Sequence, residues 1–430
     1  MLLGTGALCG YLGFAGLCYV FLTLGANPFD EYLAYVSGFL AFSALFITAL
    51  RLFRHTLKPF AKPTEILVAL MVMTLYLSAS SQARILPAAG WDSLDFWSSA
   101  AAWLIDTSYR SEPQYNLMLF DPSNRHPSTV VLVQAWSAWS AARFASSQVI
   151  YSPWIVTWIA IAIVFWGFCE TLGLSRVVKV VLVYCLASIP LLENHVLIGG
   201  YAEIFVSACL IVSAMWLFVG LEQQSVTKTL IGVAVGVLAV AIKNVGALYS
   251  GILLSAFVVV LLARNPPKAA VVIVVSTMIL IAFSVALGLD TMFSFRVGPL
   301  SRNEFGYTLF LGNRVLPVVV NDVTQVANNQ AFALFINQSF NIIAAALVAL
   351  FVAGQDFSKR VFFPSLVFVG VLAMLTLSQL LTEYGYMNAL PQNDIGNSRF
   401  SLPSALIGMI VLAVGISESL ESADKNSYQK

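Results

Sequence analysis

The sequence predicts an all-α integral membrane protein, and two observations lead to that prediction. Of the 430 residues, 59% are hydrophobic and only 10% are charged, whereas soluble domains carry about 25% charged residues. Apolar runs of about 20 residues, long enough to cross about 30 Å of hydrocarbon, recur along the chain. The net charge of +1 gives no reason to expect a nucleic-acid partner. We therefore expect lipid to cover most of the surface.

Hydropathy divides the chain into about twelve spans, with eleven to thirteen as the range. They are expected at 2–25, 33–53, 64–82, 151–170, 178–193, 203–221, 229–243, 246–263, 270–290, 332–353, 361–382 and 402–419. The chain thus forms one transmembrane domain, with three spans in 1–82, an external loop at 83–150, the other spans in 151–420 and a cytoplasmic tail at 421–430. The first run lacks a basic leader, so we expect a helix there rather than a cleaved signal.

The orientation follows from lysine and arginine in short loops, because cytoplasmic loops are enriched in both. The basic residues of these loops are Arg51, Arg54, Lys58, Lys62, Arg176, Lys179, Arg264, Lys268, Lys359 and Arg360. If both termini are cytoplasmic, all of these residues fall on the cytoplasmic side. The long loops 83–150, 291–331 and 383–401 then all lie outside.

One further apolar segment, Pro127–Ser147, would reverse every later loop if it crossed the membrane. It contains Gln134, Arg143 and several serines, which favour an interfacial or re-entrant helix on the outer side over a true span. We therefore expect outer-face amphipathic helices in the first large external loop.

Ionisable residues collect in the segments expected outside, where their placement is informative because such groups are costly to bury in a membrane. Asp92 and Asp95 are three residues apart, so a helix would place both carboxylates on one face. Both could be solvated acids of an interfacial helix anchored by Trp91 and other aromatic residues. Alternatively, one of them could be a general base whose apolar surroundings favour its protonated form.

Four other outer residues also have two interpretations each. Lys243 and Arg399, near helix ends, either extend to the interface or bind an anionic phosphate. His126 and His195 are either hydrogen-bonded interfacial side chains or metal ligands. The sequence contains no glycine-rich phosphate loop, Ser-His-Asp signature or kinase motif, and its cytoplasmic loops are short. A nucleotide-dependent cytoplasmic enzyme is therefore not expected.

Five short motifs follow one another within about residues 85–410. They are Trp91-Asp92-Ser93-Leu94-Asp95-Phe96-Trp97, His126-Pro127, Gly200-Tyr201-Ala202-Glu203, Ala241-Ile242-Lys243-Asn244-Val245-Gly246, and Arg399-Phe400 with Pro403. In this order they resemble motifs of GT-C-fold glycosyltransferases, the superfamily of protein O-mannosyltransferases and aminoarabinose transferases. The chain departs from the family pattern in having one proline after His126, Glu203 in place of aspartate, and Val245 where an acid is common. Three spans rather than one precede the first acidic motif.

The resemblance implies inverting transfer of a sugar from a polyprenyl-phosphate carrier to an acceptor hydroxyl. Asp92 would be the general base, and Asp95 or Glu203 would orient the acceptor or support the base. Lys243, Arg399 and His126 would hold the phosphate, whose developing charge fixed cations stabilise well. Trp91, Tyr201 and His195 would contact the sugar or acceptor. A divalent metal, Mg²⁺ or Mn²⁺, is permitted by the paired acids but is not required by a monophosphate carrier.

The resemblance also implies that the partners are a lipid-linked sugar, membrane lipid, and a glycan, lipid or protein acceptor. The expected location is a bacterial inner membrane with the active site on the periplasmic face. Two other functions fit twelve spans. A transporter or flippase would have broken helices and polar groups at mid-membrane. A surface-glycan polymerase or ligase would use an arginine-rich late loop, such as 291–331 with Arg296, Arg302 and Arg314.

Overall fold

The computed structural model describes a large part of the chain, including most of the segments expected to form the later spans. The described residues are 1–23, 101, 104–105, 129–143, 152–197, 201–264, 293–301, 304–311, 314–317, 322–328, 342, 345–346, 348, 359–381 and 394–428. Four expected spans, at 33–53, 64–82, 270–290 and 332–353, fall wholly or mostly outside these residues.

Helices dominate the described structure. They are α1 (Leu2–Thr23), α2 (Thr129–Arg143), α3 (Ser152–Thr171), α4 (Arg176–Ala187), α5 (Pro190–Leu197), α6 (Glu203–Glu222), α7 (Val226–Leu238), α8 (Asn244–Arg264), α9 (Lys359–Leu381) and α10 (Asp394–Tyr428). A 3₁₀ turn, Ala239–Ala241, joins α7 to α8. Three strands, β1 (Phe293–Ser301), β2 (Glu304–Leu311) and β3 (Arg314–Pro317), form one antiparallel sheet in the order β1-β2-β3.

Several of these helices have the length and composition of membrane spans. Among the described residues, α3, α6, α8, α9 and α10 each contain such a stretch, and α4 with α5 makes a sixth if this bent pair is one span. Large apolar side chains on the outside of the bundle, such as Val177, Val259 and Leu377, are more than half exposed. These features support a helical integral membrane protein. The full number of twelve spans stays a prediction.

Helix α6 is the centre of the described bundle. Its residues are apolar all round, which is typical of a helix enclosed by other helices, and every one from Glu203 to Leu221 is buried. Helices α1, α3, α5, α7, α8, α9 and α10 all pack against it. A residue at the first turn of α6 is therefore held by most of the bundle.

The packing of α7 on α6 depends on small residues. A side chain at Gly232 or Gly236 would collide with Leu217 or Ser213 of α6. The Ser213 hydroxyl donates to the Gly232 carbonyl at 2.6 Å. Small residues allow this close approach, which supplies the packing that holds helices together in lipid. The position of the turn after α7 is thereby fixed relative to α6.

One end of the bundle carries a network of ion pairs that we call the ion cluster. Glu222 at the end of α6 contacts Arg264 at the end of α8 at 2.9 Å and Arg360 at the start of α9 at 3.0 Å. Arg360 also contacts Glu421 at 2.8 Å and Glu418 at 3.6 Å, both in the C-terminal part of α10. The ion cluster therefore ties together four helices that end or begin on the same side.

Other helix ends lie on the side of the ion cluster. The Ser417 hydroxyl of α10 donates to the Leu172 carbonyl, just beyond α3, at 2.9 Å. A side chain at Gly167, near the end of α3, would collide with Met1. The start of α1, the end of α3 and the start of α4 thus lie at the same end as Arg264 and Arg360. This grouping agrees with the charge pattern of the sequence, while the side of the membrane that it faces stays a prediction.

The predicted span at 178–193 proves to be two helices. Helix α4 ends at Ala187, α5 begins at Pro190, and the two are bent by 58°. Proline has no backbone N–H and suits the first turn of a helix, so the chain breaks just before it. The Ser188 hydroxyl satisfies the Tyr184 carbonyl at 2.7 Å where the helix ends. The break directs α5 toward the start of α6, against which it packs.

Helix α2 corresponds to the ambiguous segment Pro127–Ser147. Its described part has 15 residues, and Val130–Ala135 are consecutively buried, so it does not have the one-sided burial of a helix lying on a surface. Trp136 makes an edge-to-face contact with Tyr11, which lies about 14 Å along α1 from its start. Burial within the bundle argues against an interfacial helix, and the choice between a re-entrant helix and a true span stays a prediction.

The sheet is an element that the sequence analysis did not predict. Strands β1 and β2 pair from Phe293 with Leu311 to Ser301 with Glu304, and β3 continues the antiparallel order. The sequence of β1 alternates apolar residues at Phe293, Phe295 and Val297, a period of two that is typical of a strand. The segment 291–331, expected to be an external loop, therefore contains β structure within a protein whose described bundle is helical.

Candidate functional site

Two residues from separate sequence motifs meet at the end of the bundle opposite the ion cluster. The Lys243 ammonium nitrogen donates to Oε1 of Glu203 at 2.6 Å. The two side chains are only 8% and 4% exposed, so the ion pair is nearly enclosed by protein. The 20-residue helix α6 carries Glu203 at one end and Glu222 of the ion cluster at the other, about 30 Å apart. The pair and the ion cluster are therefore separated by about the thickness of a hydrocarbon core.

The position of Lys243 depends on the tight turn between α7 and α8. The Ile242 amide donates to the Ala239 carbonyl at 3.2 Å, and the Gly246 amide donates to the Lys243 carbonyl at 2.8 Å. A side chain at Gly246 would collide with the Ala239 carbonyl oxygen. Glycine is therefore required at residue 246 if the chain is to turn this closely, which gives a physical reason for the glycine that ends this motif.

Helix α2 contributes a direct contact to the same turn. The Thr129 hydroxyl, in the first turn of α2, donates to the Ala241 carbonyl at 2.5 Å. His126 lies outside the described residues. The contact brings the first turn of α2 to the turn that carries Lys243.

Tyr201 and His195 lie beside the start of α6. The Tyr201 carbonyl accepts a hydrogen bond from Nε1 of Trp154 at 2.9 Å, and the Trp154 ring packs edge-to-face on Phe205. The buried His195 ring packs against the Tyr201 ring with 5.7 Å between centroids. Its Nδ1 donates to the Leu191 carbonyl at 2.7 Å. The aromatic residues Trp154 and Tyr201 thus fix the entry into α6 two residues before Glu203.

The electrostatics of the pair follow from its burial. A lysine or glutamate that loses its partner in such surroundings carries an uncompensated charge, which costs several kcal/mol. Together the two charges sum to zero, and the ammonium donates the hydrogen bond that joins the two side chains. Tyr249 of α8 is also buried and lies within range of the Glu203 charge. The arrangement can hold a fixed cation close to an anionic ligand.

The other predicted site residues are less fully described. Trp91, Asp92, Asp95 and His126 lie outside the described residues. Arg399 lies in the first part of α10, but its side chain is not described. Among the side chains that are described, no three histidine, cysteine, aspartate or glutamate residues come together as they would around a metal ion. The proposal that Mg²⁺ or Mn²⁺ binds between paired acids therefore stays a prediction.

The structure adds residues that sequence reasoning missed. Thr129, Trp154 and Tyr249 each support the Glu203–Lys243 pair or its neighbours, yet none stands in a motif and each has an ordinary apolar sequence context. The direct ion pair was also not predicted, because the resemblance assigned Glu203 to the acceptor and Lys243 to the donor. Only their distance of 2.6 Å shows that the two act on each other.

Comparisons with protein-family models, with curated proteins and with solved structures find no significant match to this chain.

Proposed function

We propose that this protein is an inverting glycosyltransferase that moves a sugar from a polyprenyl-phosphate donor to an acceptor hydroxyl at the outer face of the membrane. The buried Glu203–Lys243 pair carries the proposal. Its members belong to two motifs, 40 residues apart, that both resemble GT-C enzymes. The contact brings the two motifs together at the end of the bundle opposite the ion cluster.

The reaction assigned to this site is a single displacement. Asp92 takes the proton of the acceptor hydroxyl, and the oxygen attacks the anomeric carbon as the bond from that carbon to the phosphate oxygen breaks. The carrier leaves as a polyprenyl phosphate with one more negative charge than it had as a diester. Lys243, with Arg399 and His126, stabilises that added charge in a site from which water is largely excluded. Asp95, Trp91, Tyr201 and His195 contact the sugar or acceptor.

The proposal predicts a specific defect in the Lys243→Ala variant. Removing a charge-assisted contact to phosphate costs about 1.5–3 kcal/mol, which corresponds to roughly a 10- to 100-fold rise in the KM for the donor. The KM for the acceptor should change much less. The assay uses proteoliposomes, a set of polyprenyl-phosphate sugars and a set of lipid, glycan and peptide acceptors.

The control for this experiment is Lys228→Ala, which removes the same charge from the end of the bundle that carries the ion cluster. Lys228 lies in the first turn of α7, far from the Glu203–Lys243 pair. It should retain the wild-type KM for the donor. An unchanged donor KM in Lys243→Ala, at a normal protein level, would refute the phosphate-binding role.

A transporter or flippase is the second candidate, and one observation favours it. The break between α4 and α5, with its 58° bend, is a feature that many transporters use near their substrate sites. The same proteoliposomes separate the two functions. A transporter moves the lipid-linked sugar between leaflets with its phosphate bond intact, whereas a transferase releases polyprenyl phosphate. Movement without release would favour the transporter.

A further inference from the structure

We infer that Glu203 is a positioning residue, whose carboxylate holds the Lys243 ammonium in place for an incoming anion. The inference rests on the proposed function only in naming that anion as the donor phosphate. It gives Glu203 a role on the donor side of the reaction, in contrast to the role beside the acceptor or the base implied by the resemblance. Two features of the structure support it.

The first feature is that both partners are held by rigid elements. Glu203 lies in the first turn of the fully enclosed helix α6. Lys243 lies in a turn that is fixed by Gly246 against Ala239 and by the hydrogen bond from Thr129. Neither backbone can move far without disturbing the packing of its neighbours, so the 2.6 Å contact is built into the fold.

The second feature is the burial of the ammonium. The Lys243 side chain is only 8% exposed, and Glu203 makes an ion pair with it there. Removing one partner of a buried ion pair leaves an uncompensated charge, which is strongly unfavourable. The carboxylate therefore supplies a counter-charge that holds the ammonium at one place.

The test compares the stability of three variants at one pH. Glu203→Gln leaves the buried ammonium without this carboxylate, and Lys243→Met leaves the buried carboxylate without this ammonium, so the apparent Tm should fall in both single variants. The double variant Glu203→Gln/Lys243→Met lacks both charges, so its apparent Tm should fall by clearly less than the sum of the two single losses.

Stability is measured as the apparent Tm in detergent, from tryptophan fluorescence. Glu193→Gln is the matched control, because Glu193 is an exposed glutamate of α5 at the same end of the bundle; its apparent Tm should match wild type. If a single variant does not fold, folding of the double variant alone still supports the pair, because removing both charges leaves none unpaired. Additive losses in the double variant would overturn the inference.

The second measurement is the donor KM, which separates this inference from the proposed function. In Glu203→Gln the donor KM should rise about tenfold, because the amide holds the ammonium less firmly than the carboxylate does, and Glu203→Asp, which retains the charge, should restore part of the loss. Non-additive stability losses with an unchanged donor KM in Glu203→Gln would show that Lys243 does not serve a phosphate, which overturns that assignment and the proposed function. Additive stability losses would overturn the positioning role itself, whatever the activity.

Discussion

Individual residues at the Glu203–Lys243 site show how local geometry serves the proposed chemistry. Gly246 allows the close turn after α7, and that turn directs Lys243 toward Glu203. An Ala at this position would place its Cβ against the Ala239 carbonyl oxygen, so the turn would have to open. The Lys243 ammonium would then no longer lie at hydrogen-bond distance from the Glu203 carboxylate, nor point toward it.

Gly246→Ala should therefore destabilise the protein by about 1–3 kcal/mol, the range for overpacked sites. It should also raise the donor KM, because the Lys243 turn is displaced. Gly251→Ala is the matched control: it makes the same change in the same helix, where a new side chain meets no neighbouring atom. The stability of both variants is measured as the apparent Tm in detergent. Equal Tm values for the two variants would contradict the close turn.

The sequence predicted some of this site and missed the rest for a physical reason. The resemblance selected Glu203 and Lys243, and the structure brings both to one place. It did not predict their contact, because a contact between residues 40 positions apart depends on how α6 and α7 pack. That packing depends on small residues such as Gly232 and Gly236, whose partners cannot be read from a hydropathy pattern.

At the scale of elements, hydropathy predicted which segments form helices of membrane-span length. It did not predict where such a helix is broken in two. Hydropathy located α3, α6, α8 and α9 to within a few residues. It joined α4 to α5, although Pro190 is visible in the sequence, because both pieces are apolar. The hydropathy of α2 could not decide between a re-entrant and an interfacial helix, because that depends on the burial of Val130–Ala135.

Helix α2 provides the prediction at this scale. Thr129→Val keeps the shape of the side chain but removes its hydrogen bond to the Ala241 carbonyl. The loss costs about 1 kcal/mol, so the donor KM should rise roughly fivefold in the transfer assay. Thr129→Ser retains the hydroxyl and should stay close to wild type. Equal donor KM values for the valine and serine variants would show that the contact does not support the Lys243 turn.

For the whole molecule, the structure sorts charge between two ends of one helical bundle. The ion cluster joins α6, α8, α9 and α10 at one end, and the Glu203–Lys243 pair lies at the other. The sequence predicted this sorting from short basic loops alone, since charged groups are costly within lipid and so concentrate near its boundaries. The sheet in the loop 291–331 was not predicted, because the alternation of apolar and polar residues in its strands covers only short stretches of sequence.

The central claim is that a lipid-linked sugar binds at the Glu203–Lys243 end of this bundle. The most direct test is a cryo-EM structure of the protein in lipid nanodiscs with a non-hydrolysable polyprenyl-phosphate sugar. The account predicts phosphate density within about 3 Å of the Lys243 ammonium, as a charge-assisted hydrogen bond requires, with Glu203 still in contact with that ammonium. Phosphate density at the membrane midplane or beside the ion cluster would contradict it.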